Sequence, residues 1–147
     1  MIIITPMFGQ VEVEESRVIS FPNGVPGFPD SKTFVFMDLP DTSFQIMQST
    51  EDELYFFVIN PFEFFKKYEI VIPDAVIESL KIQKEEDVAI YNIVTIKDDL
   101  SQSTANMQAP IIINARSCQG KQHVLSDSKY SIRQPLFTPI AAQAVSE

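Results

Sequence analysis

Along most of the chain, apolar and polar residues alternate with period two or give way to short fully apolar runs. Both patterns predict strands. The predicted strands are Ile2–Ile4, Gln10–Val13, Arg17–Ser20, Thr33–Leu39, Phe44–Gln48, Leu54–Ile59, Val88–Ile96, Pro110–Ala115 and Gln122–Leu125. In "VAIYNIVTI" one face carries Val88, Ile90, Val94 and Ile96, and the other Ala89, Tyr91 and Ile93. Two apolar faces predict a central strand covered on both sides. "TFVFMDL" sets Phe34, Phe36 and Asp38 opposite Val35, Met37 and Leu39.

Helical spacing is confined to the middle of the chain. "PDAVIESLKI" places Val76, Ile77 and Leu80 on one face, with Asp74 as the predicted N-cap. "NPFEFFKKY" reads as a single turn opened by Pro61. Many short strands with few helices predict a mainly β fold, a small antiparallel β-barrel-like or sandwich domain with one or two short helices. The domain is expected over residues 1–133, with 134–147 as a C-terminal tail lying loose or over the body. "SFPNGVPGFPD" then becomes a rigid connection between two strands. Its prolines restrict the chain, Gly24 and Gly27 supply positive φ, and Phe21 and Phe28 are expected to anchor it in the core.

Composition adds limits. At 147 residues, 45% hydrophobic and 21% charged, the chain is one domain able to bury a core without staples. The single Cys118 fits a reducing compartment. No basic start precedes the short apolar "MIII", and no run is long enough to span a bilayer, so the expected setting is cytoplasmic, without membrane. Net charge is −9, and it is unevenly placed. Residues 38–99 hold fourteen acids and five bases (−9), against −2 before them and +2 after them. An acidic middle repels phosphate backbones, which argues against direct nucleic-acid binding.

The residues offer little chemistry. One histidine, His123, and one cysteine, Cys118, supply neither a metal set nor an activated nucleophile. The four glycines form no phosphate-binding loop, and the triplets Glu51–Glu53 and Glu85–Asp87 lack the alternation of a calcium loop. The expectation is a protein with no catalytic residues, metal or cofactor. The aromatic segment "YFFVINPFEFFKKYEI" is different. One turn cannot bury Phe62, Phe64 and Phe65 on a single face, so at least one should reach the surface beside Glu63 and Glu69. Exposed aromatics ringed by charge mark protein-binding sites.

Three motifs in order carry a family resemblance over roughly Phe8 to Leu136. They are F-x-x-G-x-P-G-F at Phe21, Gly24, Pro26, Gly27 and Phe28, and N-P-x-x-F-F-x-x-Y-E at Asn60, Pro61, Phe64, Phe65, Tyr68 and Glu69. The third is A-P-I-x-x-N-x-x-x-x-x-G-x-Q at Ala109, Pro110, Ile111, Asn114, Gly120 and Gln122. Together they resemble the flagellar assembly factor family FliW; Met107 departs from it, standing where leucine is frequent. The resemblance implies a non-catalytic cytoplasmic barrel-like protein. It is expected to bind flagellin and, when free of flagellin, to bind and antagonise the translational repressor CsrA.

The motifs assign no contact positions, so contacts are read from the residues' own chemistry. The candidates are Phe62, Glu63, Phe64, Phe65, Tyr68 and Glu69, with Asp74 and Glu78 on the following helix, and Asn114 and Gln122 as polar strand residues. The alternative is a β-barrel carrier or enzyme holding a small hydrophobic ligand, which requires an apolar pocket of about 300 Å³ or more.

Overall fold

The structure is a computed structural model and describes residues 1–126 and 129–137. The strands are β1 (Ile2–Thr5), β2 (Gly9–Glu12), β3 (Ile19–Ser20), β4 (Thr33–Asp38), β5 (Phe44–Ser49), β6 (Tyr55–Ile59), β7 (Val88–Thr95), β8 (Thr104–Ala105), β9 (Ile111–Asn114), β10 (Gln119–Gln122) and β11 (Gln134–Pro135). Two short helices, α1 (Pro61–Phe64) and α2 (Asp74–Ser79), lie between β6 and β7. Strands β1 and β2 form a separate hairpin. The others run β11-β8-β7-β6-β5-β4-β3-β10-β9, and a further β7–β9 pairing closes the seven strands from β7 round to β9 into a barrel. Neighbours are antiparallel except at Ser20↔Gln119, where β3 meets β10 in parallel.

Strand β7 is central, as its two apolar faces predict. Ala89, Tyr91 and Ile93 turn into the barrel, where Phe21, Phe34, Met47, Val58, Ile111 and Ile113 fill the space. From the other face Val88 and Ile90 meet Val76 of α2 and Leu80 at its C-cap, while Val94 packs with Ile59 and Tyr68 beyond α1. The interior is occupied by side chains, as in other small barrels.

Several boundaries differ from the sequence reading, each for a local reason. Arg17 does not begin a strand, because Glu15–Arg17 form a 3₁₀ turn. The last predicted strand, Gln122–Leu125, moves back to Gln119–Gln122. Cys118 at φ +56 closes a tight turn after β9, which sets Gln119 opposite Asn114 and uses up β9 at Gln122↔Ile111. In α2 the N-cap is Pro73, not Asp74: the Pro73 carbonyl accepts from the backbone N–H groups of Val76 and Ile77, and Asp74 falls in the first turn. There its charge favours the helix dipole. The stretch read as a tail starts within the body, since Gln134–Pro135 pair with β8 and Leu136 is buried. Residues 138–147 of that stretch lie outside the described residues.

The proline-rich loop joins β3 to β4. Phe21 is fully buried, 5.4 Å edge-on from Phe34, and its ring occupies the space where a side chain on Gly120 would go. Gly24 and Gly27 adopt φ +67 and +91, as the loop requires. Phe28 departs from expectation. A reverse turn pairing Val25 with Phe28 buries Val25 and leaves Phe28 44% exposed, edge-on to Phe56 at 5.7 Å.

The two glycines separate backbone strain from crowding. A Cβ on Gly24 would lie 2.7 Å from backbone atoms of Phe28 and Pro29, whereas one on Gly27 meets nothing within 4 Å. Gly27→Ala should cost about 1 kcal/mol for its φ alone. Gly24→Ala should cost about 1–3 kcal/mol more, because the loop must also shift. Urea unfolding of the two variants measures the difference, and equal losses would contradict the crowding argument.

Candidate functional site

The aromatic segment is shaped by its capping residues. Asn60 accepts a hydrogen bond from the Phe62 N–H at 3.0 Å through its side chain, and Pro61 takes the first helical position, where no donor is needed. The Phe65 N–H closes the turn on the Pro61 carbonyl at 2.7 Å, and the helix ends there. A single turn sends its side chains in different directions. Phe64 and Phe65 lie half-buried, and Phe64 stands 6.2 Å from Phe44 and 6.3 Å from Phe137. Phe62 points outward, 44% exposed, as the crowding of three rings in one turn requires.

Behind Phe62 the rings continue as a row. Phe62 is 6.0 Å from Tyr68, and Tyr68 is 4.7 Å from Tyr130. Tyr68 is buried; its hydroxyl donates to the Met107 carbonyl at 2.7 Å and accepts from the Asn92 amide at 3.4 Å. It supports the surface rather than lying on it. Tyr130 accepts from the Glu69 N–H at 2.9 Å and so ties a distant loop to the segment. Glu63, Glu69, Lys66 and Lys67 are all exposed, so acids and bases balance locally. Val71 beside them is 85% exposed. Tyr130 was not singled out in the sequence, because nothing near it in the chain indicates that its loop folds back onto residues 68 and 69.

The remaining candidates separate. Asp74 and Glu78 are exposed on α2, whose inner face carries Val76, with Leu80 at the C-cap. Asn114 is buried, and its amide donates to the Leu80 and Lys81 carbonyls at 2.8 and 3.1 Å. These are orphan acceptors at the helix end, just where Lys81 turns left-handed at φ +58. Gln122 donates from its side chain to the Ala109 carbonyl at 3.0 Å, binding β10 to the segment before β9. Both polar residues are committed to backbone groups.

The barrel end beside the β4–β5 turn opens as a depression of about 660 Å³, with Phe36, Ala89, Tyr91 and Ile113 among its lining and Ser16, Arg17, Asp38 and Gln45 around them. A second, of about 520 Å³, shares Asp38, Gln45 and Tyr91 with it and reaches Asn60 and Glu63. Both open to solvent, and both carry charge on their walls. Burial raises the Tyr91 hydroxyl pKa above its ordinary value, and the negative charges of Asp38 and Glu63 add to the rise. Cys118 and His123 stand at opposite ends of β10, so they do not form a pair. Burial and the nearby Lys121 lower the His123 pKa. Among the described residues, no three histidine, cysteine or acidic side chains converge on a metal position, and no helix is long and apolar enough to cross a membrane.

Comparisons with known proteins agree with this architecture. A family model described as "FliW protein" matches residues 2–136. A flagellar assembly factor FliW of Geobacillus kaustophilus (strain HTA426) is 44% identical over 138 residues, 93% of this chain and 96% of that protein. One of Anoxybacillus flavithermus (strain DSM 21510 / WK1) is 41% identical over 93% of this chain and 95% of its own. A crystal structure of the flagellar assembly factor FliW superposes with a TM-score of 0.90 at 40% identity, covering 95% of this chain and 99% of the other.

The supporting role of Tyr68 has two measurable consequences. Tyr68→Phe leaves the buried Met107 carbonyl without its donor and should cost about 1–3 kcal/mol of stability. Burial raises the Tyr68 pKa above its ordinary 10.0, with Tyr130 adding to the rise and the Asn92 hydrogen bond opposing it. The folded state therefore holds this proton more tightly than the unfolded chain does. That stabilisation is complete below the unfolded pKa and is lost as pH rises through the raised folded value. In denaturation measured from neutral to alkaline pH, the variant should lose less stability than the parent. An equal alkaline slope in the two would rule out this role for the Tyr68 proton.

Proposed function

This chain belongs to the FliW family of flagellar assembly factors, and from that premise we propose that it binds flagellin and, when free of flagellin, binds and antagonises the translational repressor CsrA. Phe62 carries the reading: a large exposed ring, backed by the buried Tyr68 and flanked by Glu63 and Glu69, is an anchor of the kind that concentrates energy in protein interfaces. Phe64 and Phe65 contribute by holding α1 in place. Asp74, Glu78 and the other acids of residues 38–99 attract a basic, RNA-binding partner and speed its approach. The protein then acts on CsrA rather than on RNA. Because both partners are made in the cytoplasm, it acts there.

We read this role as non-catalytic. His123 and Cys118 flank opposite ends of β10, so neither can activate the other. A carrier needs an apolar pocket, but the barrel interior is filled by Phe21, Phe34, Met47 and Ile111, and the large depression at its end is open to solvent with Arg17, Asp38 and Gln45 on its walls.

Competition is the direct test. Saturating flagellin should strip the protein from CsrA; moving that equilibrium from 1:99 to 99:1 requires about 5.5 kcal/mol of differential binding. Phe62→Ala should weaken partner binding by about tenfold or more while costing little stability, since the ring is already half in water. A ternary complex that forms with full affinity for both partners would overturn the switch, and unimpaired binding by Phe62→Ala would move the interface elsewhere.

Salt gives a second test. Association with CsrA should slow as ionic strength rises, with dissociation changing less. Charge reversal at Glu69 or Glu78 should reproduce the slowing at low salt. An association rate indifferent to salt would confine the acidity to solubility.

A further inference from the structure

The proposed function gives the open end of the barrel no ligand of its own, although its acids add to the general negative charge. Phe36 and Tyr91 lie stacked there, centroids 4.7 Å apart and planes 23° apart, and both are half-buried rather than covered. Asp38 stands on the β4 wall, Asp41 in the β4–β5 turn and Glu63 on α1, so three carboxylates face this end. Arg17 on the far wall is the one cation among the lining residues of the two depressions. We propose that this mouth receives an arginine side chain carried on an extended segment of a partner protein.

Each part of the lining selects for that group. An apolar ligand would bury Asp38 and Glu63 without compensation, and an anion would be repelled by them. A cation is drawn to the carboxylates and to the faces of the aromatic rings together. Burial raises the Tyr91 pKa and the charges of Asp38 and Glu63 add to the rise, in keeping with a mouth that favours positive charge. Gln45 distinguishes guanidinium from ammonium. Its Nε2 donates to Asp38 Oδ1 at 2.7 Å, which turns its Oε1 inward, buried and without a donor. A planar fork of N–H groups can take over Asp38 and let Gln45 rotate, so that it also satisfies the stranded oxygen. A lysine ammonium, a compact point charge, cannot stack on the rings as it does so.

The experiment is a titration of the full chain, followed by amide NMR, with acetyl-Leu-Arg-Leu-amide and with its neutral citrulline and lysine twins. The arginine peptide should give saturable shifts at the Gln45 side-chain amide and at Tyr91 and Ile113. The citrulline twin should bind about tenfold more weakly or worse, and the lysine twin less well than arginine. Asp38→Asn should weaken the arginine peptide, while Arg17→Gln, which removes the opposing charge, should tighten it. Alkylation of Cys118, the chain's single cysteine and a lining residue of the mouth, should block it. Equal affinity for arginine and citrulline, shifts centred on Phe62, weaker binding by Arg17→Gln, or no saturation up to the peptide's solubility would each overturn the proposal. A lysine twin that binds as tightly would overturn the guanidinium assignment. Flagellin binding by Asp38→Asn, measured alongside, separates this site from the Phe62 surface, because Asp38 lies outside that surface.

Discussion

Strand β7 is hydrogen-bonded along both edges. On one side β6 pairs with residues Asn92–Val94; on the other, β9 takes Val88–Tyr91 and β8 takes Val94 and Thr95. The β7–β9 pairing is the bond that turns an open sheet into a ring, and a ring presents no free edge to other chains. Closure also fixes the interior volume, so the inward residues must fill it without excess. Gly120 shows how tight that condition is, because the Phe21 ring takes the place of any side chain there. The β1–β2 hairpin lies outside the ring and is held in part by Ile3 and Thr5, which are buried while Ile2 and Ile4 face water.

Function-bearing positions follow from the alternation along that one strand. Tyr91 faces inward to the mouth. Asn92, the next residue, faces the other way, donating to the Asn106 carbonyl at 2.8 Å and to the Tyr68 hydroxyl at 3.4 Å. The mouth and the support beneath the aromatic row are therefore adjacent residues on opposite faces of a rigid element. The orientation of Tyr68 depends on β7 in turn, through Asn92 and through Met107 after β8. Sites built on strands hold their geometry better than sites built on loops, and here a one-turn helix borrows that rigidity.

The legible parts of the chain were those decided locally. Two apolar faces in "VAIYNIVTI" require a covered strand whatever its partners are, and positive φ at Gly24 and Gly27 follows from turn chemistry. The crowding of Phe62, Phe64 and Phe65 required one exposed ring, though not which one; Asn60 and Pro61 settle that by fixing where the turn starts. Illegible were the features set by partners distant in sequence. Phe28 looks like a core anchor until the Val25–Phe28 reverse turn carries it outward over Phe56. Strands β8 and β11 have two residues each, too few for any period to register. A polar residue in a strand pair, such as Asn114, can serve backbone groups, but that those groups are the carbonyls of Leu80 and Lys81 is decided only where α2 ends against it. The mouth needed three separate stretches to meet, Phe36–Asp38, Gln45 and Tyr91, and only the register of β4 with β5 and the closure at β7 bring them together.

Asn60, Pro61, Phe62 and Glu63 place two surfaces on one turn. Phe62 joins the row that ends at Tyr130, while Glu63 lines the depression that continues into the mouth. Their backbones are bound into the same short hydrogen-bonded unit, in which the Asn60 side chain holds the Phe62 N–H and the Asn60 carbonyl accepts from the Glu63 N–H at 3.1 Å. No rigid-body shift of α1 can move one of these side chains and leave the other in place. A ligand that displaces the turn from either side therefore acts on both, and linkage makes the effect reciprocal: whatever factor one ligand imposes on the other's affinity is returned in full. If a ligand instead leaves α1 unmoved, the two surfaces are thermodynamically separate apart from charge, since Phe64 and Phe65 hold the turn against the body independently of either face. The position of α1, set by one asparagine cap and two half-buried rings, decides which of these regimes the molecule occupies.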